Sequence, residues 1–129
     1  MSTGFPLVLL AEDDDDMRHL IAARLTREGM AVVEVTDGTR LRDYLTVCRP
    51  GGAIPRPDVI ISDIEMPGET GPGAIAKSNN AQSLPVVLIT AAADVDLRAL
   101  ASQAGVVAVF EKPFAIKALL TAIRTAVVS

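Results

Sequence analysis

The chain has no tryptophan, one tyrosine, three phenylalanines and a single cysteine, Cys48, among its 129 residues. A lone cysteine excludes an internal disulfide and fits a reducing compartment. Clustered positive charge is also missing: 12 Lys and Arg stand against 16 Asp and Glu, for a net charge of -4. Nucleic acid is therefore not expected as a direct partner, because phosphate backbones are bound by concentrated positive charge. No stretch approaches the roughly 18 uninterrupted apolar residues of a membrane span. The segment Met1 to Pro6 lacks the basic-then-apolar order of an export signal. These absences lead to the expectation of a cytoplasmic protein with no membrane partner.

What the chain does have is apolar content. Half of it is hydrophobic, enough for one core, and the expectation is a single domain over residues 1–129 with an ordered core from about 6 to 127. Its most unusual feature is an acidic knot, Glu12-Asp13-Asp14-Asp15-Asp16, which follows directly on the apolar run Leu7-Val8-Leu9-Leu10-Ala11. Like charges at 4 Å repel by about 1 kcal/mol per pair in water and by more where the dielectric falls. A helix N-terminus, a cation or both must compensate.

Apolar runs of strand length recur at Leu7 to Ala11, Ala31 to Val35, Val59 to Ile61, Val86 to Ile89 and Val106 to Phe110. Between them lie helical stripes: Met17, Leu20, Ile21 and Leu25; Leu41, Tyr44, Leu45 and Cys48; and, near the end, Ile116, Leu119, Leu120, Ile123 and Val127. Asp94 to Ala104 reads as a more uniformly apolar helix, and Pro72 to Asn80 as the weakest one. The residues from Arg49 to Pro57 read as a long surface loop. Continuously apolar strands alternating with helices predict an open, doubly wound α/β sandwich with a parallel sheet covered on both faces. In such sheets ligands bind beyond the C-terminal ends of the strands.

The residues that end strands are Glu12 and Asp13, then Asp63, then Thr90, then Lys112. Carboxylates from two strands cannot all stay ionised together without a counter-charge, and hard oxygen ligands favour Mg²⁺. Thr90 offers a hydroxyl and Lys112 a point charge to phosphoryl oxygens. A carboxylate can itself attack phosphorus to give an aspartyl phosphate. The remaining acids, Asp14 to Asp16, read as helix caps and dipole partners, with Asp15 as the N-cap. His19 reads as an exposed helix residue and Cys48 as core.

Four blocks in order, Leu9-Leu10-Ala11-Glu12-Asp13, Asp63-Ile64-Glu65-Met66-Pro67-Gly68, Pro85 to Thr90 with Ala91, and Phe110-Glu111-Lys112-Pro113-Phe114, resemble the receiver domain of bacterial two-component response regulators, of the chemotaxis-regulator kind. The resemblance runs from Leu7 to Val127. It implies a flavodoxin-like fold of five parallel strands in the order 2-1-3-4-5. It implies that Asp63 accepts a phosphoryl group from a sensor histidine kinase or phosphotransfer protein, with Thr90 as the switch hydroxyl and Lys112 as the phosphate-pairing lysine. The Mg²⁺ ligands implied are Asp13, Asp63 and the backbone carbonyl of Glu65, with Glu12 in support. The Lys112-Pro113 bond is implied to be cis. Such a domain is a switch and not a turnover enzyme, and it meets its output domain or protein through the Asp94 to Ala104 helix, the last strand and the last helix.

Several residues depart from the family pattern. Val109 stands where many receivers carry an aromatic residue, and Phe110 falls on the opposite side of the strand, so a muted or rerouted readout is expected. Glu65 adds a carboxylate two residues after Asp63, which either raises local repulsion or faces solvent. Ala92 is small and leaves an acyl phosphate open to water. Two other functions compete: a Mg²⁺-dependent phosphohydrolase with an aspartyl nucleophile, and a receiver-like or flavodoxin-like binding module that does not use phosphate. The first usually places nucleophile and second aspartate as Asp-x-Asp after the first strand and appends a cap, whereas here Asp63 follows the third strand, Glu65 stands in place of the second aspartate, and no residues remain for a cap. The second is disfavoured because the strand-end positions are all filled.

Overall fold

Alternation of side chains along a strand decides this fold. In β1 (Leu7–Ala11), Val8 and Leu10 join one buried cluster while Leu9 and Ala11 join another. A strand apolar on both sides can be stable only between two layers, so helices must cover both faces. In the computed structural model, which describes residues 5–78, 81, 83–91, 96, 98–99, 102–103 and 105–128, that is the arrangement. β1 is followed by α1 (Asp15–Arg27), β2 (Ala31–Val35), α2 (Gly38–Val47), β3 (Val59–Asp63), α3 (Gly71–Ala76), β4 (Val86–Thr90), β5 (Val106–Glu111) and α4 (Ile116–Val128). The five strands form one sheet in the order β2-β1-β3-β4-β5, with every neighbouring pair parallel. The expected helix from Asp94 to Ala104 lies largely outside the described residues, as do Ala92, Asn79 and Asn80.

Helices α1 and α4 cover one face, where Ile21, Leu25, Leu119 and Ile123 pack on Val8, Leu10, Ile61 and Ile89. Helices α2 and α3 cover the other, where Leu41, Leu45 and Ala74 pack on Leu9, Ile60 and Leu88. The central strands β3 and β4 are buried at every position, whereas the edge strands β2 and β5 are partly exposed. The strands after Val59 and Val86 run to Asp63 and Thr90, beyond the apolar residues that announce them, because the polar residues at their ends still pair in the sheet.

Three local expectations are corrected. The N-cap of α1 is Asp14, not Asp15: the Asp14 carboxylate accepts from the Met17 N–H at 3.1 Å, leaving Asp15 and Asp16 in the first turn, where the helix dipole favours them. Leu20 does not belong to the buried stripe. It is 54% exposed, while Arg18, at 7%, is buried in its place. Helix α3 is shorter than expected, six residues capped by Thr70, whose hydroxyl accepts from the Gly73 N–H at 3.0 Å. Cys48 is buried, its thiol directed to the Leu45 carbonyl at 3.6 Å, and His19 is exposed, both as expected.

Loops at the C-terminal ends of the strands are held tightly. The Gly71 N–H donates to the Ile64 carbonyl at 3.1 Å, folding the segment after β3 back on the strand. A Cβ on Gly71 would run into the Ser62 Oγ and the Asp63 carbonyl, so Gly71→Ala is expected to lower stability through a backbone shift at the end of β3. Ile61→Ala, which empties a fully buried position, should cost about 2–5 kcal/mol. Urea unfolding of both variants with matched m-values checks each outcome.

Candidate phosphoryl and metal site

Four strands end within reach of one point. β1 delivers Glu12 and Asp13 and β3 delivers Asp63, because β1 and β3 are neighbours in the sheet. β4 delivers Thr90, and the turn after β5 delivers Lys112, whose N–H donates to the Thr90 carbonyl at 2.7 Å. Glu12 and Thr90 are fully buried and Asp63 is 5% exposed, while Asp13 faces solvent. The site thus has a dry floor and one open acidic edge.

Lys112 ties the floor together. Its ammonium lies 2.8 Å from Asp63 Oδ2 and 2.9 Å from Glu12 Oε1. Burial opposes its charge, yet the bonds and charges of Asp63 and Glu12 outweigh that and hold its pKa above the ordinary lysine value. Burial pushes the Glu12 carboxyl above the ordinary glutamate value, up to about 7, helped by the adjacent Asp63 and opposed by Lys112 and the Asp14 N–H. The peptide bond between Lys112 and Pro113 is cis, in agreement with the sequence resemblance.

Around this floor three further residues set geometry. Arg18, which sequence reasoning passed over, donates from Nη1 to the Glu12 carbonyl at 3.0 Å, from Nη2 to Asp15 at 2.7 Å and from Nε to Glu34 at 3.2 Å. It neutralises one member of the acidic knot and pins the backbone that carries two others. The only signal in the sequence was its i, i+3 spacing from Asp15. Glu69 pairs with Arg42 of α2 at 3.1 Å and Lys77 beyond α3 at 2.8 Å, fixing the loop after Asp63. Glu65 neither faces water alone nor merely adds charge: its N–H donates to Asp63 Oδ1 at 3.2 Å, and its carboxylate accepts from the Thr90 hydroxyl at 3.3 Å. Val109 packs toward the α2 and α3 side and Phe110 toward the α1 and α4 side, 5.8 Å from the Phe114 ring, so the two stand on opposite faces as expected.

Donor chemistry at the site fits Mg²⁺. Glu12, Asp13 and Asp63 each present one carboxylate oxygen within 4.8 Å of the others, an all-oxygen set of the kind this ion takes while keeping several waters. The Lys112 ammonium already sits against two of those carboxylates, which shows that the pocket is built to take positive charge. Among the described residues no helix is long and apolar enough to cross a membrane.

Known proteins resemble this chain in sequence and fold. Residues 8–124 match the family described as the response regulator receiver domain. The transcriptional regulatory protein PdtaR of Mycobacterium tuberculosis is 34% identical over 121 residues, which are 93% of this chain and 56% of that protein. The chain therefore spans little more than half the length of that relative. Among solved structures, the receiver domain of a sensor histidine kinase of Pseudomonas aeruginosa, with a magnesium ion coordinated in its active-site cleft, superposes with a TM-score of 0.80 at 26% identity, over 98% of this chain and 100% of that one. A response regulator receiver protein of Burkholderia phymatum superposes with a TM-score of 0.77 at 30% identity, over 95% and 94%. With the family match running through every strand and through Asp63, Thr90 and Lys112, the chain belongs to the response regulator receiver domain family.

Proposed function

We propose that Asp63 accepts a phosphoryl group from a sensor histidine kinase or phosphotransfer protein, and that the residues from Leu7 to Val128 work as one phosphorylation switch and not as a turnover enzyme. The observation that carries this reading is that Asp63 sits against Lys112 at 2.8 Å and within 4.8 Å of carboxylate oxygens of Glu12 and Asp13. A carboxylate oxygen of Asp63 attacks phosphorus, a P–O bond forms, and the bond to the donor's leaving group breaks with its electron pair going to that group. Lys112 exchanges its contact with the Asp63 carboxylate for one with a phosphoryl oxygen, so its charge is never left unpaired. The Thr90 hydroxyl, fully buried, donates to a second phosphoryl oxygen. Asp13, Asp63 and the Glu65 carbonyl, supported by Glu12, would hold Mg²⁺, which when bound supplies positive charge beside the phosphoryl oxygens. Arg18 keeps the Glu12 backbone oriented throughout.

The output surface in this reading lies on β5 and α4 together with the segment expected as the Asp94 to Ala104 helix. With Val109 in place of an aromatic side chain, the readout there is muted or rerouted. Any DNA-binding output would come from a domain or protein other than this receiver fold, in keeping with relatives that are transcriptional regulatory proteins.

A small phosphodonor with Mg²⁺ should add one phosphoryl mass to the intact protein, and Asp63→Asn should abolish it. Undiminished labelling of that variant by mass spectrometry would defeat the assignment. Chelating Mg²⁺ should slow labelling at least tenfold, on the order of what one well-placed charge contributes to phosphoryl transfer.

Stability should follow pH through Glu12. Its folded value of about 7 lies above the 4.5 of an ordinary glutamate, so the folded state binds the extra proton between those limits. Metal-free protein should therefore be most stable at the acid end of that window and lose stability as pH rises toward 7, by no more than about 1.4 kcal/mol per pH unit for one proton. Mg²⁺ should flatten the slope by favouring the ionised carboxylate, and Glu12→Gln should remove it. Urea midpoints at pH 5 to 8, with and without Mg²⁺, measure both effects.

A further inference from the structure

Glu65 does two things at once. Its N–H donates to Asp63 Oδ1 at 3.2 Å, and its carboxylate, reaching across to the next strand, accepts the Thr90 hydroxyl at 3.3 Å. One residue thereby bonds the end of β3 to the end of β4. The same Thr90 receives the Lys112 N–H on its carbonyl at 2.7 Å, and Lys112 in turn holds Asp63 Oδ2 at 2.8 Å. In the resting site the donors that would serve a phosphoryl group, the Thr90 hydroxyl, the Lys112 ammonium and the Glu65 N–H, are each engaged by a carboxylate of the chain itself.

We propose that the Glu65 carboxylate is an internal competitor for the Thr90 hydroxyl, a latch that holds the unphosphorylated state and is displaced when Asp63 carries a phosphoryl group. The inference rests on the reading of Asp63 as acceptor. A hydroxyl has one proton and donates it to one acceptor at a time. Thr90 is fully buried whereas Glu65 is exposed, so Glu65 is the partner free to leave. A phosphoryl group brings nearly two negative charges and three acceptor oxygens. It repels the neighbouring carboxylate and offers Thr90 a stronger acceptor, and Glu65 turns to water at little cost. No covalent bond of Thr90 changes and its proton stays on Oγ1. The latch depends on reach as well as charge, because an aspartate at this position would be one methylene too short to span the gap.

That distinction supplies the test. Beryllofluoride with Mg²⁺ mimics the phosphoryl group, and its affinity can be read by NMR titration for wild type, Glu65→Asp and Glu65→Ala, each with Thr90 or with Thr90→Ala. Glu65→Asp keeps the charge and loses the reach, so both Glu65 variants should bind roughly threefold to tenfold more tightly than wild type, the worth of one competing hydrogen bond. In the Thr90→Ala background the same substitutions should change affinity by less than about twofold. Wild-type affinity in Glu65→Asp alongside a gain in Glu65→Ala would reduce Glu65 to a repelling charge and overturn the latch. So would a gain that persists undiminished without the Thr90 hydroxyl. If wild type binds no beryllofluoride, the acceptor reading itself fails. Binding in wild type with no effect at Glu65 defeats the latch alone.

Discussion

The site depends on the ion pairs of Lys112. Its ammonium, 2.8 Å from Asp63 and 2.9 Å from Glu12, is the counter-charge that lets two buried carboxylates share a floor with little access to water. Burying a carboxylate without a partner costs several kcal/mol or drives it to take up a proton. Glu12 stands part-way along that course, with its pKa near 7. An acidic pocket poised in this way gains when further positive charge arrives, which is why its resting structure favours a cation.

Strain in the acidic knot is relieved by dividing it. Asp14 caps α1, Asp15 pairs with Arg18 at 2.7 Å, and Asp16 lies in the first turn near the positive end of the helix dipole. Glu12 and Asp13 alone are left for the site. Arg18 is central to the division because its guanidinium fork reaches the Glu12 carbonyl, Asp15 and Glu34 together, a geometry that the point charge of a lysine could not reproduce.

Much of the fold was legible in the chain because strand burial writes itself as uninterrupted apolar residues. Val59-Ile60-Ile61 and Val86-Val87-Leu88-Ile89 mark the two central strands, and both are buried throughout. Helix faces were less legible. Leu20 fits an apolar stripe by spacing but stands in solvent, since the adjacent buried place is taken by Arg18, whose polar head finds three partners that no periodicity reveals. The N-cap fell one residue early for a similar reason: several aspartates in a row are equivalent as sequence, and only the path from β1 into α1 selects Asp14.

By itself the sequence determined the α/β architecture and the residues at the strand ends, because apolar runs and the residues that stop them are local properties. Tertiary structure alone decided which of those ends meet. Placing β1 beside β3, and β4 beside β5, brings Glu12, Asp63, Thr90 and Lys112 into contact across separations of up to 100 residues. The hydrogen bond from Thr90 to Glu65 belongs to the same class. Its length is set by the spacing of two parallel strands and the reach of a glutamate, and neither residue announces it on its own.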